Sequence, residues 1–166
     1  MKNIIIKEYQ YPENFSDLEL LISGHQQFIR ELEPHIAISF VHKFDLKKYL
    51  SIFFEHKLNK VIYIAYVNND VAGYVSNYIN ILNNISVYRQ HRFAVLNELF
   101  VLEKFRQVGV ASELIEQSKK WANAEKCEYL NVGYSYKNNV ADRLYNKKAG
   151  FIKTGQLSIY KLNSKI

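Results

Sequence analysis

The sequence predicts a single α/β domain, residues 1–166, whose mixed, mostly antiparallel central sheet has about seven strands flanked by about four helices. Three observations carry this prediction. Runs rich in β-branched and aromatic residues occur along the whole chain, segments with apolar residues at helical spacing lie between them, and turn residues separate the two. A chain of 166 residues with 48% hydrophobic residues is long and apolar enough to bury one core.

The first strand and the first helix are predicted from the amino-terminal segment. The run "NIIIKEY" (3–9) has strand composition. Ser16 and Glu19 then have the spacing of a capping box, and they begin a helix that ends before Pro34. His25 lies on the apolar stripe of this helix, where we expect a packed histidine rather than a metal ligand.

A second helix and a hairpin follow. Apolar spacing predicts a helix over 44–58 with Asp45 as its N-cap. The β-rich runs 60–67 and 71–81 flank "NND", which is a hairpin signal. Gly73 inside the second run indicates a bulge or a close approach of two backbones.

The second half of the chain alternates strands and helices. A strand, a helix and a strand in succession predict a parallel pair joined by a right-handed crossover. The hairpin before them is antiparallel, so the sheet is predicted to be mixed. The predicted elements are a strand at 93–101, a helix at 108–126, a strand at 127–136, a helix at 138–150 and two closing strands at 151–155 and 157–162.

The stretch "RQVGVA" lies where the strand 93–101 gives way to a helix. A helix that starts after a strand presents free backbone N–H groups and a positive dipole end, which suits an anion. Gly109 permits a tight turn, Ala111 keeps the first helical turn uncrowded, and Arg106 can add a charge-assisted bond. From the spacing alone, a pyrophosphate site and a turn with an incidental glycine remain equally good readings.

The wider context resembles a known family. "ELFVLEKFRQVGVASELI" is similar to motif A of the GNAT superfamily (GCN5-related N-acetyltransferases), which has Q/R-x-x-G-x-G/A after a strand. "VAGYVSNYI" looks like the third strand of that family, and "NNVADRLYNKKAGF" looks like its motif B. The resemblance covers about residues 60–153 and implies the GNAT fold and an acetyl-CoA-dependent N-acetyltransferase.

The resemblance also implies which residues bind acetyl-CoA. The backbone of the strand end would pair with the pantetheine arm and the acetyl carbonyl, as an added strand would. The turn would hold the pyrophosphate, and a motif B asparagine would lie near the cofactor. The residues so implied are Leu99, Phe100, Val101, Arg106, Gln107, Val108, Gly109, Val110, Ala111, Ser112, Asn138 or Asn139, and Tyr145.

Motif B departs from the family pattern by one residue. The family usually has three residues between its tyrosine and its Gly-Phe pair, whereas four follow Tyr145 here. Alignment on Gly150 puts Asn146 and Asn139 at the tyrosine and asparagine positions, and alignment on Tyr145 puts Asn138 in register instead. One added residue turns a helical side chain by about 100°, so either residue can occupy the tyrosine position.

Two residues are candidates for the acid–base chemistry of acetyl transfer. Glu98, a carboxylate inside an apolar strand, is the candidate base, and the alternative is a carboxylate that faces solvent or a lysine. Asn97 and Glu98 should point to opposite faces of that strand, so one of them is expected to face the acceptor. Tyr145 is the candidate acid, and a core tyrosine is the alternative. Direct attack in a ternary complex needs no nucleophile, so Cys127 is expected to be a packed thiol.

Composition limits the other functions. The net charge of +6 is scattered, so we expect no nucleic-acid partner, although a nucleic-acid-binding protein stays a third hypothesis. We expect no membrane-spanning segment, no signal peptide and no metal site, because the sequence shows none of the corresponding patterns. A single cysteine fits a protein of the reducing cytoplasm. The resemblance implies a small-molecule or protein amine as the acceptor, and it makes a homodimer an option. A catalytically silent module that senses acyl-CoA is the alternative function.

Overall fold

The computed structural model describes residues 3–32, 45–55, 59–82 and 91–155. Within them the protein has a central sheet with helices on both of its faces. The strands are β1 (Ile4–Glu8), β2 (Lys60–Val67), β3 (Asp70–Leu82), β4 (His91–Val101) and β5 (Tyr129–Val132). The helices are α1 (Phe15–Leu32), α2 (Leu46–Glu55), α3 (Val110–Ala124) and α4 (Asn139–Asp142), the last of which continues as a π-helical turn, Arg143–Lys148.

The sheet is mixed, as the sequence predicts. Its order is β1-β2-β3-β4-β5, with antiparallel pairing up to β4 and parallel pairing between β4 and β5. Asn68 and Asn69, both at positive φ, form the turn of the predicted β2–β3 hairpin. Positive φ at both central residues is the geometry of the turn that matches strand twist, and asparagine tolerates it well.

Two apolar clusters cover the two faces of the sheet. One cluster joins the sheet to α3 and includes Leu114, Ile115 and Tyr145. The other joins the opposite face to α1 and α2 and includes Leu18 and Leu50. Because side chains alternate along each strand, β4 contributes to both clusters, and the candidate site lies along it.

Gly73 occupies a point where β3 and β4 nearly touch. A Cβ atom at this position would lie 2.6 Å from the backbone oxygen of Phe100. The register of β3 against β2 also shifts beside it, between Ala65 and Tyr66. Both features expected of Gly73, the bulge and the close backbone approach, are therefore present.

Some predicted elements differ from the structure. The capping box is wrong, because α1 already begins at Phe15 and Ser16 lies inside it, whereas Asp45 does cap α2 by accepting from the Lys48 N–H at 3.1 Å. The described sheet has five strands rather than about seven. Residues 151–155 form no strand, and the strand predicted at 157–162 lies outside the described residues.

Candidate active site

The turn between β4 and α3 presents a run of backbone amides. Gln107 and Gly109 both have positive φ, at 64° and 100°, and Gly109 is the N-cap of α3. The Glu113 N–H bonds to the Gly109 carbonyl at 3.1 Å, so the amides of residues 110–112 precede the first helical hydrogen bond. These amides and the positive end of the helix dipole create a site suited to an anion.

The apolar side chains of this turn pack against the core and hold the turn in place. Val110 is buried, and Val108 and Ala111 pack against the α3 cluster, whereas Gln107 and Ser112 are exposed. The apolar side chains thus anchor the segment while its backbone stays at the surface. A Cβ at Gly109 would meet only the Ile4 methyl at 3.7 Å, so glycine is needed here for its backbone conformation rather than for space.

Arg106 braces the turn against the rest of the protein. Its Nε donates to the Val101 carbonyl at 3.1 Å, and its guanidinium carbon lies 5.3 Å from the centre of the Phe28 ring. Part of the guanidinium is therefore engaged with β4 and α1. The anion contact that the sequence suggests for this side chain stays a prediction.

β4 and β5 separate before β4 ends. Their parallel pairing runs from Phe93 opposite Tyr129 to Leu96 opposite Val132. β4 continues to Val101 and pairs there with β3, and among the described strands none pairs with 97–101 on the β5 side. An extended ligand can add to such an open edge as an extra strand does. This segment contains Leu99, Phe100 and Val101, the strand-end residues singled out from the sequence.

A β-bulge changes the direction of the side chains at the middle of β4. Ser76 lies opposite Glu98 and Asn77 lies opposite Leu96, so Asn97 has no residue of its own across the pair. The expectation that Asn97 and Glu98 face opposite sides is wrong, because a bulge interrupts the alternation. Both side chains reach the Ser76 hydroxyl: Asn97 Nδ2 donates to it at 3.4 Å, and it donates to Glu98 Oε2 at 3.3 Å.

Glu98 lies in a polar cluster on the α1–α2 face. Tyr49 Oη donates to Glu98 Oε2 at 2.6 Å, and Tyr74 Oη donates to the same oxygen at 3.2 Å. His25 Nδ1 lies 2.8 Å from Tyr74 Oη, and its ring stacks on Phe100 with the centroids 5.3 Å apart. Elements from three parts of the chain thus meet at one carboxylate, so the alternative of a solvent-facing or lysine-paired Glu98 does not describe this geometry.

Burial determines which groups of this cluster are charged. It raises the pKa of Tyr49 and that of Tyr74, and the nearby charge of Glu98 raises both further. Burial lowers the pKa of His25 below its usual 6.5, with a partial offset from Glu98. At neutral pH both tyrosines are therefore protonated hydrogen-bond donors, and His25 is neutral.

The sequence misses most of this cluster. His25 was expected to be packed, and it is, but its bond to Tyr74 could not be foreseen. Nothing in the sequence around Tyr49 or Tyr74 indicates a functional role, since a tyrosine on an amphipathic helix or in a strand is normally predicted to be a core residue. These residues are brought together by hydrogen bonds between distant parts of the chain, and sequence spacing does not predict such contacts.

Motif B forms a helix with an inserted residue. The side chain of Asn138 accepts from the Ala141 N–H at 2.9 Å and so caps α4, whereas Asn139 is exposed. The Ala149 N–H bonds to the Leu144 carbonyl, five residues back, at 2.9 Å. This π-helical bond absorbs the one residue by which the motif exceeds the family pattern.

The π turn leaves Tyr145 in the interior. Tyr145 is 5% exposed, and its ring lies 5.5 Å from that of Tyr134 and 5.5 Å from that of Phe151. Burial raises its pKa, and within the described part of the chain its hydroxyl makes no hydrogen bond. Asn146 instead bonds to Tyr134 Oη and Asp142. Of the two candidates for the tyrosine position, Tyr145 is therefore the inward-facing one.

Other features lie apart from this site. A cavity of about 430 Å³ is lined by Tyr9, Tyr11, Lys47, Leu50, Ser51 and Phe54, and neither Glu98 nor the turn contributes to it. Cys127 is only partly buried, and this partial burial raises the pKa of its thiol. The described residues contain no cluster of three or more His, Cys, Asp or Glu that could hold a metal ion. None of the helices in the described ranges is long and apolar enough to cross a membrane.

The fold is shared with many solved structures. A variant of the BH1408 protein from Bacillus halodurans superimposes with a TM-score of 0.81 at 14% identity, covering 95% of this chain and 99% of that one. The aminoglycoside N-acetyltransferase AAC(6')-Iy in complex with CoA gives 0.71 at 17% identity, covering 99% and 97%. The aminoglycoside acetyltransferase meta-AAC0020 from an uncultured soil sample, solved with sisomicin, gives 0.68 at 15%, covering 97% of each. At these identities the likeness shows the fold alone.

Sequence comparison supplies the family. No curated protein sequence matches the chain. The model of the "Acetyltransferase (GNAT) family" matches residues 26–151, a segment that includes β4, the turn, α3 and motif B. The resemblance seen in the two motifs is confirmed, and the chain belongs to the GNAT family.

Proposed function

We propose that this protein is an N-acetyltransferase that moves the acetyl group of acetyl-CoA to an amine by direct attack in a ternary complex. One observation carries the proposal: the amide-lined turn, the open edge of β4 and the carboxylate of Glu98 follow one another along a single strand and its continuation. Acetyl transfer to an amine needs an anion site for CoA, donors for the carbonyl oxygen and a base, in that spatial order.

The turn is proposed to hold the pyrophosphate of CoA. The amides of residues 108–112 and the α3 dipole would bind it, with Arg106 and Gln107 at its edge. Backbone groups of Leu99 and Val101 on the open β4 edge would bind the pantetheine and polarise the acetyl carbonyl. Asn138 supports this arrangement through its cap on α4, and Asn139 at the surface is the alternative contact.

Glu98 is proposed to take the proton of the acceptor. A free alkylamine has a pKa of about 10.4 and must lose a proton before it can attack. Glu98 Oε1 accepts this proton, directly or through water, and the neutral amine nitrogen then bonds to the carbonyl carbon. As the carbon–sulfur bond breaks, the nitrogen loses its second proton to solvent. Tyr145, whose raised pKa keeps its hydroxyl protonated, supplies the proton that converts the thiolate to the free thiol and regains a proton from solvent.

The acceptor proposed first is a small amine. Among the similar structures, one contains sisomicin and another contains the bisubstrate analogue CoA-S-monomethyl-acetylneamine. A protein amine stays open as a second class. The single cysteine favours a location in the reducing cytoplasm. The positive charge is scattered along the sequence and gives no reason to propose a nucleic-acid partner. Membership of the family leaves a homodimer as an option.

The first test is calorimetric titration with acetyl-CoA and then with CoA, followed by thiol release across an amine panel. We expect saturable binding and turnover with at least one amine. Glu98→Gln should keep the affinity for acetyl-CoA and lower kcat at least about tenfold. Failure of the folded protein to bind acetyl-CoA would refute the cofactor assignment. Binding without turnover on any amine would favour the silent acyl-CoA sensor instead.

A further inference from the structure

Glu98 is held by one oxygen only. The hydroxyls of Tyr49, Tyr74 and Ser76 all donate to Oε2, at 2.6, 3.2 and 3.3 Å. The other oxygen, Oε1, has no hydrogen-bond partner among the described residues. A carboxylate with about four lone-pair sites is thus saturated on one side and open on the other.

The direction of the hydrogen bonds in this cluster can be assigned. Tyr74 Oη gives its single proton to Glu98, so it must accept the hydrogen bond from His25. The neutral His25 ring therefore carries its proton on Nδ1. The hydrogen-bond chain runs from His25 through Tyr74 to Glu98, and each donor is oriented by the acceptor that follows it.

The donors come from the helices on that face as well as from the sheet. Tyr49 belongs to α2, His25 belongs to α1, and Tyr74 and Ser76 belong to β3. These are also the titratable and polar groups that face Glu98 from the described elements packed against it, together with Asn97 of β4. Three hydroxyls aimed at one oxygen fix the rotamer of the Glu98 side chain.

We propose that Tyr49, Tyr74 and Ser76 are positioning residues that bind Oε2 of Glu98 and reserve Oε1 for the proton of the acceptor amine. This inference rests on the proposed function. It predicts that loss of a hydroxyl impairs the base without impairing acetyl-CoA binding. Tyr49 makes the shortest of the three bonds and should have the largest effect, followed by Tyr74 and then Ser76.

The test compares Tyr49→Phe and Tyr74→Phe with Tyr66→Phe as the matched control. Tyr66 is also buried in the α1–α2 cluster and also donates to a carboxylate, Asp17, at 2.8 Å, but it does not contact Glu98. We expect kcat to fall about tenfold in Tyr49→Phe, since a hydrogen bond to a charged group is lost. KM for acetyl-CoA should stay unchanged, because the turn that is proposed to bind the cofactor is not altered.

A second readout needs no activity. In protein labelled with ¹³C-glutamate, the Glu98 carboxyl signal is identified by its absence in Glu98→Gln, and its chemical shift is compared between variants at one pH. We expect the shift to change in Tyr49→Phe, which loses the hydrogen bond to Oε2, and to stay at the wild-type value in Tyr66→Phe. If Tyr49→Phe and Tyr66→Phe give the same chemical shift and the same kcat, the positioning role is overturned. If the chemical shift changes in Tyr49→Phe but no amine is acetylated by the wild type, the positioning of the carboxylate stands and the proposed function alone fails.

Discussion

The turn after β4 and the cluster around Glu98 are built in contrasting ways. The turn consists of consecutive residues, 106–112, and presents backbone amides whose direction depends on positive φ at Gly109. The cluster consists of side chains from α1, α2, β3 and β4, joined by hydrogen bonds between residues as far apart as Tyr49 and Glu98. One region depends on local conformation, and the other depends on the packing of the whole domain.

This contrast has a functional consequence. A backbone site tolerates almost any side chain except at the residue that sets the dihedral angles. A side-chain site changes with each substitution in any of its elements. We therefore expect cofactor binding to depend on few positions and acceptor chemistry to depend on many.

The largest expected effect is at Gly109. In Gly109→Ala the new methyl meets only ordinary contacts, so the cost arises from φ at 100° and should be about 1–2 kcal/mol of unfolding free energy. Relief of that strain would rotate the amides away from the anion. Affinity for acetyl-CoA, measured by calorimetry, should fall at least about tenfold.

Gly150→Ala is the control for strain alone. Gly150 also has positive φ, 77°, and open space around its Cβ position, but it lies at the end of motif B and not in the turn after β4. Its unfolding free energy should drop by a similar amount while acetyl-CoA affinity changes little. Equal losses of affinity in the two variants would mean that the turn binds nothing through its backbone.

A smaller effect is expected in the cluster, at His25. Its folded-state pKa is lowered, so the unfolded chain takes up the proton first as the pH falls below 6.5. The stabilising contribution is fully present above that pH and is lost as the pH falls toward the folded-state pKa. His25→Asn keeps a donor for Tyr74 and removes the titration.

Urea unfolding at about pH 7.5 and about pH 5.5 measures this contribution. The wild type should lose stability over this interval by up to about 1.4 kcal/mol per pH unit more than His25→Asn. Parallel pH dependence in the two proteins would show that His25 titrates as it does in the unfolded chain. The cluster would then be more open to water than its geometry indicates.

The same contrast explains what the sequence can and cannot predict. The mixed sheet, the Asn68–Asn69 hairpin and the turn at Gly109 follow from local composition, and all three are observed. The bulge at Asn97 is not predictable, because it depends on how β4 aligns with β3. The partners of Glu98 are equally hidden, since Tyr49 lies 49 residues away in the chain. Local rules thus predict the turn after β4, whereas the cluster around Glu98 is recognisable only in the folded structure.

The smallest effect is expected in motif B, where the contrast can be tested on one helix. Deletion of exposed Lys147 should convert the π turn to α-helix, since the five-residue bond from Ala149 to Leu144 would become a four-residue bond. The residues from Asn138 to Tyr145 precede the deletion and keep their helical register. We expect the unfolding free energy to change by less than about 1 kcal/mol and kcat to persist.

Deletion of Lys120 in α3 is the matched control, because that helix has no inserted residue to lose. It should rotate Trp121 and Ala122 by about 100° out of the core and unfold the domain, as circular dichroism would report. If deletion of Lys147 leaves the fold intact but abolishes turnover, the π turn itself sets the position of the Tyr145 hydroxyl. Motif B would then belong with the turn after β4, as a region where backbone conformation and not side-chain identity determines function.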